Sequence, residues 1–190
     1  MTLSTPAGGG PDKGSGPPNL GFLTVLNEAN GYLGGYLVTN TWGRPLEFRL
    51  SSAVQPNRVQ QILYAGTLAG YACGELIGKT LLDKTATSAQ VILTDTADAW
   101  TLRRLVDLPV AWVVPAGDPR AAGEQPGTII RPATGFRGPL LAHPDFPDDA
   151  PRLKELFDRL AGLDLTEPFA RIRDAITEAR KMGVTHRAAA

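Results

Sequence analysis

The sequence predicts a mixed α/β domain, and three observations carry that expectation. Short β-rich runs come first, at residues 22–26, 32–39 and 46–50, separated by turn residues. A long helical pattern follows. Then strand, helix and strand succeed one another at a spacing that implies a parallel βαβ unit with a right-handed crossover.

Each element has its own justification. Asn30 and Gly31 suit a tight primed turn and close a hairpin. A second turn over residues 40–44 leads to a strictly alternating segment, with Leu46, Phe48 and Leu50 on one face and Glu47 and Arg49 on the other. The three strands therefore form an antiparallel meander. Gly34 and Gly35 weaken the middle strand and point to a bulge or a close backbone approach. After Pro56, residues Val59, Ile62, Leu63, Ala69, Cys73, Leu76, Ile77 and Leu81 keep helical spacing as far as Lys84. Residues 90–94 read as a buried strand, 97–108 as a helix and 110–114 as a second buried strand. Prolines break residues 116–150, leaving short strands at 128–131 and 140–142. Two helices close the chain, 151–161 with Asp148 and Asp149 as caps, and 166–182 with Thr166 as N-cap and Gly183 beyond its end. The resulting division is a disordered tail at 1–19, rich in Gly, Pro and Ser, an α/β domain at 20–142, a helical C-terminal appendage at 143–183 and a frayed tail at 184–190.

Composition limits the function classes. With 190 residues, 43% apolar and 20% charged, there is material for one core. Lys plus Arg and Asp plus Glu stand at 19 each, which argues against a nucleic-acid partner or an anionic membrane surface. The start of the chain lacks the apolar run of a secretory signal, and the single cysteine, Cys73, cannot form an internal disulfide. A reducing, cytoplasmic location is expected.

Residues 73–80, CGELIGKT, end like a phosphate-binding P-loop but lack its first glycine and the strand before it. They read as helix instead. Within that helix Gly66, Gly70, Gly74 and Gly78 recur every fourth position and form one ridge. Four helical glycines cost about 4 kcal/mol relative to alanine, so close packing must offset them. The ridge lies either on the chain's own sheet or in a seam between two copies.

Few residues suit chemistry. Asp95, in LTDT at residues 93–96, stands at the C-terminal end of a parallel strand, where open α/β sheets place ligands, and it can equally cap the next helix. The element order together with this segment resembles the ribonuclease H-like fold over about residues 21–114. That resemblance implies that Asp95 is one ligand of a Mg or Mn ion in two-metal phosphodiester chemistry. It also implies an aspartate in the middle of the first strand, where this chain has FLTVLN at 22–27 with Glu28 only at the end, and a glutamate early in the long helix, near Gln60. His143, Asp145, Asp148 and Asp149 form a second cluster suited to metal or acid–base work. Cys73 reads as a small buried apolar residue. Trp42, Arg44, Glu47 and Arg49 form a polar strand face with one aromatic.

The expectation is a noncatalytic protein-interaction or scaffold module, homodimeric or with a protein partner, using the ridge at Gly66, Gly70, Gly74 and Gly78 and needing no cofactor. The alternative is a metal-dependent phosphodiester hydrolase using Asp95 with Glu28 or Asp145, and His143 as a further metal ligand.

Overall fold

The structure, a computed structural model, describes residues 17–28, 31–118, 127–130, 139–160 and 163–183. The expected tails, up to residue 16 and from residue 184, lie outside the described residues, as do Asn30 of the first turn and the prolines at 119, 126 and 132.

Strand formation follows from near-continuous apolar runs, which can be satisfied only if both faces of the sheet are covered. In β1 (Leu20–Glu28), Leu20 and Phe22 point to one face and Leu23 and Val25 to the other, and all four are buried. β2 (Gly31–Thr39) pairs antiparallel with β1, and β3 (Pro45–Leu50) pairs antiparallel with β2, as the expected meander. β4 (Val91–Thr94) and β5 (Val110–Val113) join in parallel, while β6 (Thr128–Ile130) and β7 (Leu140–Ala142) close the far edge. The order is β3-β2-β1-β4-β5-β7-β6. The chain thus leaves β1 toward β2 and β3, then crosses back to β4 on the other side of β1. This makes the β1/β4 boundary a topological switch point.

α1 (Arg58–Tyr64), a 3-10 turn (Ala65–Thr67) and α2 (Leu68–Gly70) lead into a π-helical stretch (Tyr71–Lys79) and α3 (Thr80–Asp83), and these last two cover one face together with a 3-10 helix (Ala97–Leu105). The segments from Leu68 to Asp83 run on as one rod. The opposite face is covered by α4 (Asp149–Asp158) and α5 (Glu167–Lys181), where Phe169, Ile172 and Ile176 are buried against Phe22, Leu33 and Leu37.

Gly34 and Gly35 explain how both layers come close. A Cβ on Gly34 would meet Ile77 Cγ2 at 2.3 Å, and one on Gly35 would meet Ile172 Cγ2 at 2.6 Å on the other face. The close approach is real; the bulge lies instead between Val38 and Thr39.

Four local expectations are corrected. The single helix over 56–84 breaks at Ala65, whose φ of 43° and ψ of −120° lie outside helical space. α1 buries no residue, and Val59, Ile62 and Leu63 are exposed, because periodicity says which side chains share a face and not that anything covers it. The segment after β4 is a 3-10 helix ending at Leu105. Thr166 and Asp148 make no side-chain cap; Thr166 instead bonds Asp164 through its amide and hydroxyl.

Among the described residues no helix is long and apolar enough to cross a membrane.

Candidate functional site

Asp95 stands where β4 ends, between β1 and α5. The TDT segment at 94–96 is folded back on β1: Thr96 Oγ1 accepts from the Val25 amide at 3.0 Å and donates to the Val25 carbonyl at 3.2 Å. Thr24 Oγ1 donates to Asp95 Oδ1 at 3.1 Å. Arg173 of α5 donates to the other carboxylate oxygen. The Asp95 side chain is 6% exposed and that of Arg173 44%, so the guanidinium lies between the carboxylate and solvent. Burial pushes the Asp95 carboxyl above its usual range, although Arg173 and the Thr24 hydroxyl pull it back. Asp95 therefore does not cap the following helix. Its oxygens are taken by tertiary partners, and Thr96 at the cap position makes no side-chain cap.

The other carboxylates expected to converge on Asp95 are held elsewhere. Glu28 pairs with Arg180 of α5. Asp145 pairs with Arg104 at 2.7 Å. His143 is buried with its ring edge-on to Trp100 and Phe146, and its Nδ1 accepts from the Asp145 amide at 3.2 Å, so burial holds it below its ordinary pKa. Asp149 is locked in a buried bidentate pair with Arg103, at 2.5 and 3.1 Å, and that guanidinium stacks 3.8 Å over Phe146. The cluster at 143–149 is thus a packed polar joint.

Divalent metals bind where several oxygens point at one empty position. Here Asp95, Glu28, Asp145 and Asp149 each face an arginine, and among the described residues no three His, Cys, Asp or Glu side chains could hold a metal ion. The donor set does not fit Mg or Mn.

The glycine ridge divides. A Cβ on Gly70 would meet Thr101 Cγ2 at 3.2 Å, one on Gly74 would meet Thr101 Oγ1 at 2.2 Å, and one on Gly78 would meet Leu23 and Leu102 at 3.1 and 3.2 Å. Thr101 Oγ1 also donates to the Gly70 carbonyl at 3.1 Å, stitching the rod to the 3-10 helix. Gly66 has nothing within 4 Å. It opens onto a cleft of about 480 Å³ that Gly70, Tyr64, Tyr71, Glu75 and Asp98 also line. The Tyr64 and Tyr71 rings are stacked, with centroids 4.2 Å apart and planes at 19°. The cleft offers an aromatic pair, open space at Gly66, the carboxylates of Glu75 and Asp98 and the guanidinium of Arg104. Cys73 lies buried in the rod, its thiol pushed up to about 12 chiefly by burial, and is no nucleophile.

Sequence reasoning missed Thr24, Tyr64, Tyr71, Arg173 and Arg180. No local signal marked them: Tyr64 and Tyr71 lie on either side of the break at Ala65, and Arg173 and Arg180, seven residues apart on α5, have the spacing of any solvated helix face.

No family model matches the sequence, and no curated protein sequence matches it. Solved structures do match the fold. Endonuclease V of Bacillus subtilis superposes with a TM-score of 0.51 at 12% identity, over 86% of this chain and 83% of that one. Endonuclease V of Streptomyces avermitilis gives 0.50 at 14%, over 87% and 85%. Endonuclease V of Ciona intestinalis, solved with a 24mer DNA containing an inosine followed by a ribo-adenosine, gives 0.39 at 10%, over 72% and 75%. The fold is α/β and ribonuclease H-like, as the element order implied.

Two functional expectations are corrected here. The noncatalytic protein-binding scaffold does not stand against neighbours that are endonucleases, with which the hydrolase alternative agrees better. The exclusion of a nucleic-acid partner falls with it. Net charge is a sum over the whole molecule, whereas recognition depends on how charge is placed on one surface.

Proposed function

We propose that the protein acts on nucleic acid, taking an unstacked base into the cleft beside Gly66. The observation that carries this reading is the cleft itself: a stacked tyrosine pair beside Gly66, which leaves open space for a flat ring. Base–aromatic stacking contributes about 1–3 kcal/mol per base, and proteins that handle single bases hold them between aromatic walls with polar groups at the ring edge. Glu75 and Asp98 supply acceptors for ring N–H groups. The shared fold of two endonucleases supports the same reading. We place this activity in a reducing cytoplasm, in keeping with a lone buried cysteine.

Fluorescence anisotropy with labelled single- and double-stranded oligonucleotides tests the reading. Tyr71→Ala weakens binding roughly tenfold through lost stacking. Gly66→Val, which fills the cleft without striking the protein, weakens it as well. Equal affinity in wild type and both variants would remove the cleft from the account.

One observation favours a second reading, phosphodiester hydrolysis: Asp95 is a buried carboxylate at a strand end, on a fold shared with endonucleases. Cleavage of an oligonucleotide that Asp95→Asn abolishes would establish it.

A further inference from the structure

The carboxylates at the β1/β4 end of the sheet are matched one to one with guanidinium groups from a single helix. Arg173 and Arg180 lie two turns apart on α5, so both leave the same face, and they bind Asp95 and Glu28 respectively. Asp95 has a second donor in Thr24, a hydroxyl on the strand where a second carboxylate was expected. A metal site turns bare oxygens toward the ion, whereas here N–H and O–H groups have already taken both oxygens of Asp95.

The same pair leaves something free. Arginine has five donors in a rigid fork, and the Arg173 side chain is 44% exposed above an almost fully buried partner. Asp95 fixes the guanidinium, so little rotamer freedom remains to be lost when an anion meets its outer edge. Positive charge lies toward solvent and negative charge beneath it.

We propose that Arg173 takes the place of a metal ion at Asp95 and offers its outward edge to a nucleic-acid phosphate, so that this chain binds nucleic acid without divalent metal. The proposal rests on the nucleic-acid reading above and adds the part of the ligand that this edge recognises. The phosphate contact is electrostatic and sequence-independent, unlike the base contact in the cleft.

The test is anisotropy of a labelled oligonucleotide with the full chain, in EDTA and in magnesium or manganese chloride, across a salt series. Wild-type affinity is expected to agree within about twofold with and without metal. Arg173→Gln weakens binding five- to tenfold and lowers the slope of log K against log salt by about 0.7–0.9, one phosphate contact. Arg173→Lys, which keeps the charge, retains the slope and shows that any loss in the glutamine variant is not misfolding. Affinity and slope unchanged in Arg173→Gln overturn the proposal and leave the base cleft standing. Calorimetric binding of magnesium or manganese that Asp95→Asn abolishes overturns it too. Failure of the wild type to bind any oligonucleotide overturns both readings together.

Discussion

The two faces of the sheet are closed by different means. On one, a rod of mixed α and π geometry and a 3-10 helix pack through missing side chains: Gly34 admits Ile77, and Gly74 admits Thr101. On the other, the regular helix α5 packs through Phe169, Ile172 and Ile176 and ties its edge to the strands with Arg173 and Arg180. The glycine face packs on the sheet through close steric contacts and ends in an open cleft at Gly66. The arginine face closes its carboxylates. Steric complementarity thus leaves a vacancy where the ridge outruns its partner, whereas electrostatic complementarity consumes the groups that chemistry would need.

The contrast can be broken most severely where the two faces are joined. Arg103 comes from the 3-10 helix and Asp149 from α4, and both side chains are buried. Asp149→Ala leaves an uncompensated charge and is expected to cost about 3–5 kcal/mol in urea denaturation. Next come the glycines. Gly74→Val and Gly34→Val each force side chains into occupied space and cost about 1–3 kcal/mol. Gly66→Ala, with open space at its Cβ, shifts stability by under about 1 kcal/mol and upward, because the unfolded chain loses freedom. Similar losses at Gly66 and Gly74 would contradict the division of the ridge.

On the arginine face, Arg173→Met removes the charge that pulls Asp95 down, so its carboxyl rises further above the unfolded value. The folded state then takes up a proton at higher pH than the unfolded chain. The variant is weakened at neutral pH by about 1 kcal/mol, discounted for the exposure of Arg173, and recovers as pH falls through the raised value. A loss independent of pH would mean that α5 is held by packing alone.

The smallest effect belongs to β3. Glu47 accepts from the amides of Ala86 and Thr87 at 3.0 and 2.8 Å, and these hydrogen bonds hold its carboxyl down to about 2. What it contributes is complete above the unfolded value near 4.5 and fades as pH falls toward 2. The melting temperatures of wild type and Glu47→Gln therefore differ by a constant amount above that range and converge within it.

The strands were legible because a run such as VILT at 91–94 has one way to hide its side chains and satisfy its backbone. Asp95 was legible because it ends such a strand. α1 was misread for a related reason: Val59, Ile62 and Leu63 have the spacing of a buried face, and spacing carries no information about a neighbour. The site was largely illegible because its partners are far apart in sequence, 78 positions for Asp95 and Arg173 and 152 for Glu28 and Arg180. Nothing in EPFARIRDAITEARK marks those two arginines out from a solvated helix face.

By itself the sequence determined the alternation of apolar and polar residues, and through it the meander, the parallel unit and the position of one carboxylate at a strand end. These are local consequences of a two-residue or 3.6-residue repeat. Only the tertiary structure decided which groups face that carboxylate, since an ion pair is set by where two backbones cross. It also decided that Gly66 borders a vacancy while Gly74 borders Thr101, because the same missing Cβ means close packing or open space according to what lies opposite.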